Sequence, residues 1–160
     1  MPASSVNRYP DKPVGHIRNM RSEDLAVVAG IEQICSPAPW AQGIFESCLS
    51  SSYQCLVVEV GGEVVGFAIL NLGFDEAHIM NLGVAIAHRQ KGIGRNLMMH
   101  LLTYCQQCDI SNVLLEVRVS NFVAIALYRS IGFGIVGRRV GYYALGDGRE
   151  DAINMALNLK

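Results

Sequence analysis

Arg89-Gln90-Lys91-Gly92-Ile93-Gly94 packs two glycines and two bases into six residues, and Arg95 follows at once. Glycines at such a turn let backbone N–H groups come close to a bound anion. If a helix starts there, its first turn adds unpaired N–H groups and a partial positive charge. Together these features suit a pyrophosphate. The terminal Gly-Lys-Ser/Thr of a nucleotide P-loop is missing, and so is the first glycine of the dinucleotide fingerprint. The hexapeptide alone is also what a surface turn flanked by bases looks like. Glu116 is the second candidate. It stands between Leu115 and Val117 in a short apolar run, so strand alternation puts its carboxylate on the face opposite both neighbours. There it either meets solvent or lines a cleft. Tyr128 follows twelve residues later, and by itself it reads as a half-buried aromatic with its hydroxyl at the surface.

The surrounding pattern says which elements carry these groups. Val14–Met20 alternates weakly and reads as a first strand. Ser22, with Glu23 and Asp24 behind it, reads as the N-cap of a helix running to about Ile34. Ser36–Trp40 is a loop with two prolines, and a second helix is expected over Gln42–Leu49. Gln54–Val60 and Glu63–Leu72 are strands joined through Gly61-Gly62, a two-residue hairpin turn. A third strand follows over Ala77–Ala85. Ile93, Leu97, Leu101 and Cys105 then recur every four residues, with Asn96, His100, Thr103 and Gln107 on the opposite face. The hexapeptide therefore sits between a strand and an amphipathic helix. Val113–Val117 is a short strand, and Asn121–Ile131 is a helix that Gly132 closes. Two strands, Phe133–Tyr143 and Ala152–Leu159, finish the chain around a polar loop at Gly146–Arg149. The order βααβββαβαββ predicts one α/β (α+β) domain over 14–160, with a mixed, mostly antiparallel sheet flanked by helices. Residues 1–13 read as a flexible leader.

Composition excludes several classes. The chain has 160 residues, is 51% hydrophobic and carries a net charge of −1. It is too apolar for a disordered chain and too balanced for a duplex-DNA binder. The longest uncharged runs, Gln33–Phe45 and Asn96–Cys108, are each 13 residues, short of the roughly 18 that span a bilayer. No signal-peptide pattern opens the chain, so a cytoplasmic protein is expected. The five cysteines suit reduced thiols. Cys105 and Cys108 form a lone C-x-x-C without further ligands at partner spacing, so no metal site is expected.

Arg89-x-x-Gly92-x-Gly94 between strand and helix resembles the acetyl-CoA signature of the GNAT N-acetyltransferases. Leu115–Asn121 and Ala124–Phe133 resemble the next two elements of that superfamily. Pro39-Trp40, Asp75-Glu76-Ala77, Tyr142-Tyr143 and Gly148–Ala152 are similar to its RimI family. Members of that family acetylate the N-terminal alanine of small-subunit ribosomal protein number eighteen. The likeness runs from about Arg21 to Leu157. Ile86 stands where the family often has proline, and Arg89 where close relatives commonly carry Gln.

The resemblance implies acetyl transfer from acetyl-CoA to a protein N-terminus, with Glu116 as general base and Tyr128 as general acid. It places the cofactor on Leu82, Val84, Arg89, Gln90, Lys91, Gly92, Ile93, Gly94, Arg95 and Asn121. Trp40, Tyr142 and Tyr143 would shape the peptide entrance. The central strands would splay, with a bulge that Gly83 makes inexpensive. An α-amine with a pKa near 8 is about 10% neutral at pH 7, against under about 0.1% for a lysine, which favours the N-terminus as nucleophile. Acetylation of lysines or small amines, and a non-catalytic acyl-CoA-binding module, are the alternatives. Neither nucleic acid nor membrane is expected as a partner, and the chain is expected to work as a monomer or weak oligomer.

Overall fold

A computed structural model describes residues 15–50 and 52–160; the expected leader 1–13 lies outside them. The elements are β1 (His16–Asn19), α1 (Leu25–Cys35), α2 (Gln42–Cys48), β2 (Tyr53–Val60), β3 (Glu63–Leu72), β4 (Glu76–Val84), α3 (Ile93–Gln107), β5 (Asn112–Arg118), α4 (Phe122–Ile131), β6 (Gly134–Leu145) and β7 (Gly148–Asn158). Their order is the one read from the sequence. They build one seven-stranded sheet in the order β1-β2-β3-β4-β5-β7-β6. All neighbours are antiparallel except β4 and β5.

Alternation along the strands feeds two cores. Leu56, Val58, Ala68, Leu70, Ile79, Leu115 and Val117 point to one face, where Ile93, Leu97, Leu101 and Cys105 of α3 and Tyr128 of α4 cover them. Each fully buried aliphatic side chain there contributes roughly 1.5–3 kcal/mol. On the other face Val57, Phe67 and Ile69 meet Val28 and Ile31 of α1 and Phe45 of α2. The helices α1 and α2 thus sit over β2 and β3, and no helix core covers the β5-β7-β6 half on that side among the described residues.

Several element ends shift by a residue or two from the sequence reading, and two boundaries differ by more than that. Ser22 does not cap a helix. A single 3-10 turn, Ser22–Asp24, precedes α1, and its cap is Arg21, whose N–H donates to Asp24 Oδ2 at 2.8 Å. Asp24 is buried there because it also takes both terminal nitrogens of Arg18, at 2.7 and 2.8 Å. Arg18 in turn donates to Glu59 at 2.8 Å. Tertiary pairing thus overrides the local capping preference. At the other end, Gly148 and Arg149 belong to β7. The expected loop shrinks to Gly146-Asp147, with Gly146 at φ +54°, because pairing runs all the way to Leu145↔Gly148.

Of the C-x-x-C pair, Cys105 is fully buried and Cys108 is exposed. Burial pushes the Cys105 thiol up to about 11. No helix among the described residues is long and apolar enough to cross a membrane.

Candidate active site

The parallel pair β4/β5 holds for only four residues, from Glu76↔Asn112 to Ile79↔Leu115. Beyond Ile79 the two strands part. The cause lies on the other edge of β4. Ile69 pairs with Asn81 and Leu70 with Ile79, so Met80 is an extra residue, a β-bulge that bends the strand away. The bulge is therefore at Met80 and not at Gly83. Gly83 is required for a different reason: a Cβ there would stand 2.6 Å from the ring of Phe67. Ala85 N–H bonds the Val65 carbonyl at 2.8 Å. Antiparallel alternation then turns the backbone N–H and C=O groups of Leu82 and Val84 toward the gap. The Val84 carbonyl takes Arg89 Nε at 3.1 Å and the Cys35 thiol at 3.4 Å instead of a strand partner.

A cleft of about 510 Å³ passes through this gap. Leu115 and Val117 belong to the α3/α4 core, so Glu116 faces the α1/α2 side. Tyr128 comes from the α3/α4 side. Both line the same cleft, which only the parting of the strands allows. Of the residues singled out from the sequence, Trp40, Leu82, Glu116, Asn121, Tyr128, Tyr142 and Tyr143 line it. Asn121 also caps α4, accepting from Ala124 N–H at 3.2 Å.

Charge in the cleft is arranged in pairs. Arg139 Nη1 donates to Glu116 Oε1 at 3.0 Å. Arg118 donates to Glu150 at 3.1 Å and lies 4.5 Å from the centre of the Tyr143 ring. Glu150 also accepts from Ser120 N–H at 2.9 Å, which ties the end of β5 to the start of α4. Burial pushes the phenols of Tyr128 and Tyr143 up to about 12, so both hold their protons through neutral pH. Burial also raises the Tyr142 phenol.

Val84, Arg89, Gln90, Lys91, Gly92, Ile93, Gly94 and Arg95 lie outside the cleft walls, at the end of β4 and the start of α3. Gly92 is the N-cap of α3 at φ +83°, with nothing within 4 Å of where a Cβ would be. No side chain among the described residues caps this end. The first-turn amides are thus open to an anion, as a pyrophosphate requires. Ile93 is 1% exposed, so its side chain belongs to the core and only its backbone faces the loop. Arg89 lies against Val84 and against the Cys35 sulfur at 3.1 Å, and Arg95 donates to Ser130 at 2.6 Å. These two guanidiniums are anchored beside the turn, not over it. The loop, the edge of Leu82 and the N–H of Val84 fit an acyl-CoA, with its diphosphate on the amides and its arm in the gap.

Glu32 was not visible as a site residue in the sequence. It is 3% exposed and lines the cleft from α1. Asn81, next to the bulge, donates to its carboxylate, and Trp40 N–H reaches it at 3.4 Å. Burial holds the Glu32 carboxyl above the usual range. The sequence signal is a charged residue on the apolar side of a helix, four residues after Val28 and beside Ile31.

Residues 16–133 match the sequence profile described as "Acetyltransferase (GNAT) family". The chain is 38% identical over 141 residues to the [ribosomal protein bS18]-alanine N-acetyltransferase of Escherichia coli strain K12, covering 88% of this chain and 95% of that one. The crystal structure of the ribosomal-protein-S18-alanine N-acetyltransferase from Escherichia coli superposes with a TM-score of 0.86 at 36% identity, covering 91% of this chain and 94% of that one. Ard1 from Thermoplasma volcanium superposes at 0.83 with 29% identity, over 92% and 99% of the two chains. A profile that takes in the anion loop, Glu116 and Tyr128, and a fold shared nearly end to end, lead to one family: this chain belongs to the GNAT acetyltransferases.

Proposed function

We propose that the chain is a cytoplasmic N-terminal protein acetyltransferase, a single domain over 14–160. Its substrate would be the N-terminal alanine of ribosomal protein bS18, on which the Escherichia coli relative acts by name. The observation that carries this reading is the cleft through the β4/β5 gap, which brings Glu116 and Tyr128 together from opposite faces of the sheet. Acetyl-CoA supplies the activated acetyl group. The first-turn amides of α3 bind its diphosphate, and the edge of Leu82 and the N–H of Val84 hold its arm. The Val84 N–H is the donor turned toward the acyl oxygen. Glu116 accepts one proton of the peptide's α-ammonium, and the freed nitrogen bonds to the acetyl carbonyl carbon. The C–S bond breaks with its electron pair left on sulfur, and the nitrogen's surplus proton passes to solvent. Tyr128, protonated throughout the working range, acts as the general acid by hydrogen-bonding the departing thiolate, which takes its proton finally from solvent. Trp40, Tyr142 and Tyr143 frame the approach of the peptide on the α1/α2 side.

Incubation with acetyl-CoA and a hexapeptide beginning with Ala tests the proposal. Thiol release well above background is expected with the free N-terminus, and none with the same peptide N-blocked but carrying a lysine. Turnover on the blocked peptide instead transfers the activity to side chains, and no turnover on either removes the assignment.

A further inference from the structure

Glu116 has a resident cation. Arg139 reaches it from β6 with a single N–H, Nη1 to Oε1 at 3.0 Å. The arginine side chain is 53% exposed and the carboxylate 31%. The guanidinium carbon also lies 4.2 Å from the centre of the Tyr142 ring. β6 is built to hold this arrangement. Its ladder with β7 breaks between Arg139 and Tyr143. Inside the break Gly141 takes φ +61°. Its N–H is bound by Asp151 at 2.8 Å and its carbonyl by Arg149 at 2.5 Å.

The other charged groups around Glu116 are committed elsewhere. Arg118 is bound to Glu150, Arg138 to Asp151 at 2.6 Å, and Glu32 to Asn81 and Trp40. Tyr128, Tyr142 and Tyr143 are neutral. Arg139 is therefore the cation that balances Glu116, and it is the most easily moved. It has one hydrogen bond to break, solvent on one side, and an aromatic face to keep when it lets go.

Resting on the N-terminal acetyltransferase reading above, we propose that Arg139 is a positioning residue that keeps the place of the substrate's α-ammonium beside Glu116. Without peptide, the guanidinium neutralises the carboxylate and aims it. The incoming N-terminus exchanges one cation for another, and Arg139 lets go of the carboxylate while keeping the face of Tyr142. Acetylation removes the charge from the peptide. The product then has nothing with which to hold Arg139 off, and the original pair re-forms as the product leaves. Charge competition of this kind weakens binding of the amine, which must displace the guanidinium, and leaves binding of the uncharged amide unaffected.

The test measures binding, without acetyl-CoA, of a hexapeptide beginning with Ala and of its N-acetylated form. The proteins are the wild type, Arg139→Gln and Arg139→Lys. Removing the internal competitor in Arg139→Gln is expected to tighten the free-amine peptide about threefold to fivefold, the size of a partly exposed ion pair. The N-acetylated peptide should stay within about twofold of wild type. Arg139→Lys should keep the wild-type ratio. A free-amine peptide that binds more weakly to Arg139→Gln, or both peptides shifting by one factor, overturns the proposal and makes Arg139 a structural residue. Wild-type turnover on the free peptide is run alongside. Its absence refutes the N-terminal reading and this inference with it. Turnover with an unchanged binding ratio refutes this inference alone.

Discussion

Glu116 and Tyr128 meet at the cleft under opposite electrostatic conditions. Glu116 is partly exposed and paired with Arg139. Tyr128 is 8% exposed, and burial pushes its phenol up to about 12, so it holds its proton at neutral pH. Glu116→Gln and Tyr128→Phe are each expected to lower kcat about a hundredfold or more, the usual contribution of a positioned proton-transfer group. Acetyl-CoA affinity should stay near wild type, because neither side chain belongs to the diphosphate loop. Steady-state kinetics with direct measurement of coenzyme binding separates the two quantities, and equal losses in both would make the pair structural. The local pattern placed Glu116 on the face opposite its two apolar neighbours and Tyr128 on the helix after it, but their candidate roles came from the resemblance to the GNAT family. Glu32 was not legible, because its importance comes from Asn81 and Trp40, which are remote in sequence and adjacent in space.

Among the elements, β4 matters most to the site. Its Met80 bulge ends the parallel pairing with β5, and the phenyl ring of Phe67 fills the space left by Gly83. Gly83→Ala forces a Cβ into a fully buried ring and is expected to destabilise the protein by about 1–3 kcal/mol. Gly30, inside α1 with nothing within 4 Å of its missing Cβ, is the contrasting case. Gly30→Ala should stabilise by roughly 0.5–1 kcal/mol, the helix preference of alanine. Urea denaturation of the two variants checks both signs. The sequence marked Gly83 as the place of a bulge, and the bulge is three residues earlier. A glycine shows that something needs room or an unusual φ. It does not show which, and here the need is the ring of Phe67 on the neighbouring strand.

Across the molecule, Arg18, Asp24 and Glu59 tie β1, the turn before α1 and β2 into one ion network on the rim of the α1/α2 layer. The hydrogen bonds from Arg18 hold the Asp24 carboxyl below the usual carboxylate range. A depressed carboxyl contributes stability above its unfolded pKa, near 3.9, and loses it as pH falls through the lower folded value. Asp24→Asn is therefore expected to cost about 1–3 kcal/mol at pH 7. Its deficit against wild type should shrink as the pH is lowered below about 4, as thermal unfolding over a pH series would show. The same layer sets the asymmetry of the whole molecule. Because α1 and α2 sit over β2 and β3, the face carrying Glu116 stays open to a peptide, while the Tyr128 side is closed by α3 and α4.

The element order, the amphipathic face of α3, the glycine loop at its start and the alternation that isolates Glu116 are local properties of the chain, set by periods of 2 and 3.6 residues and by turn chemistry. They were readable because each depends on neighbours a few residues away. The place where β4 leaves β5, the layer each helix covers, the burial that raises the Tyr128 phenol and the pairing of Arg139 with Glu116 join residues distant in sequence, as Glu32 and Asn81 are. Those depend on which surfaces pack and which charges are left to balance, and such energies exist only once the sheet has formed.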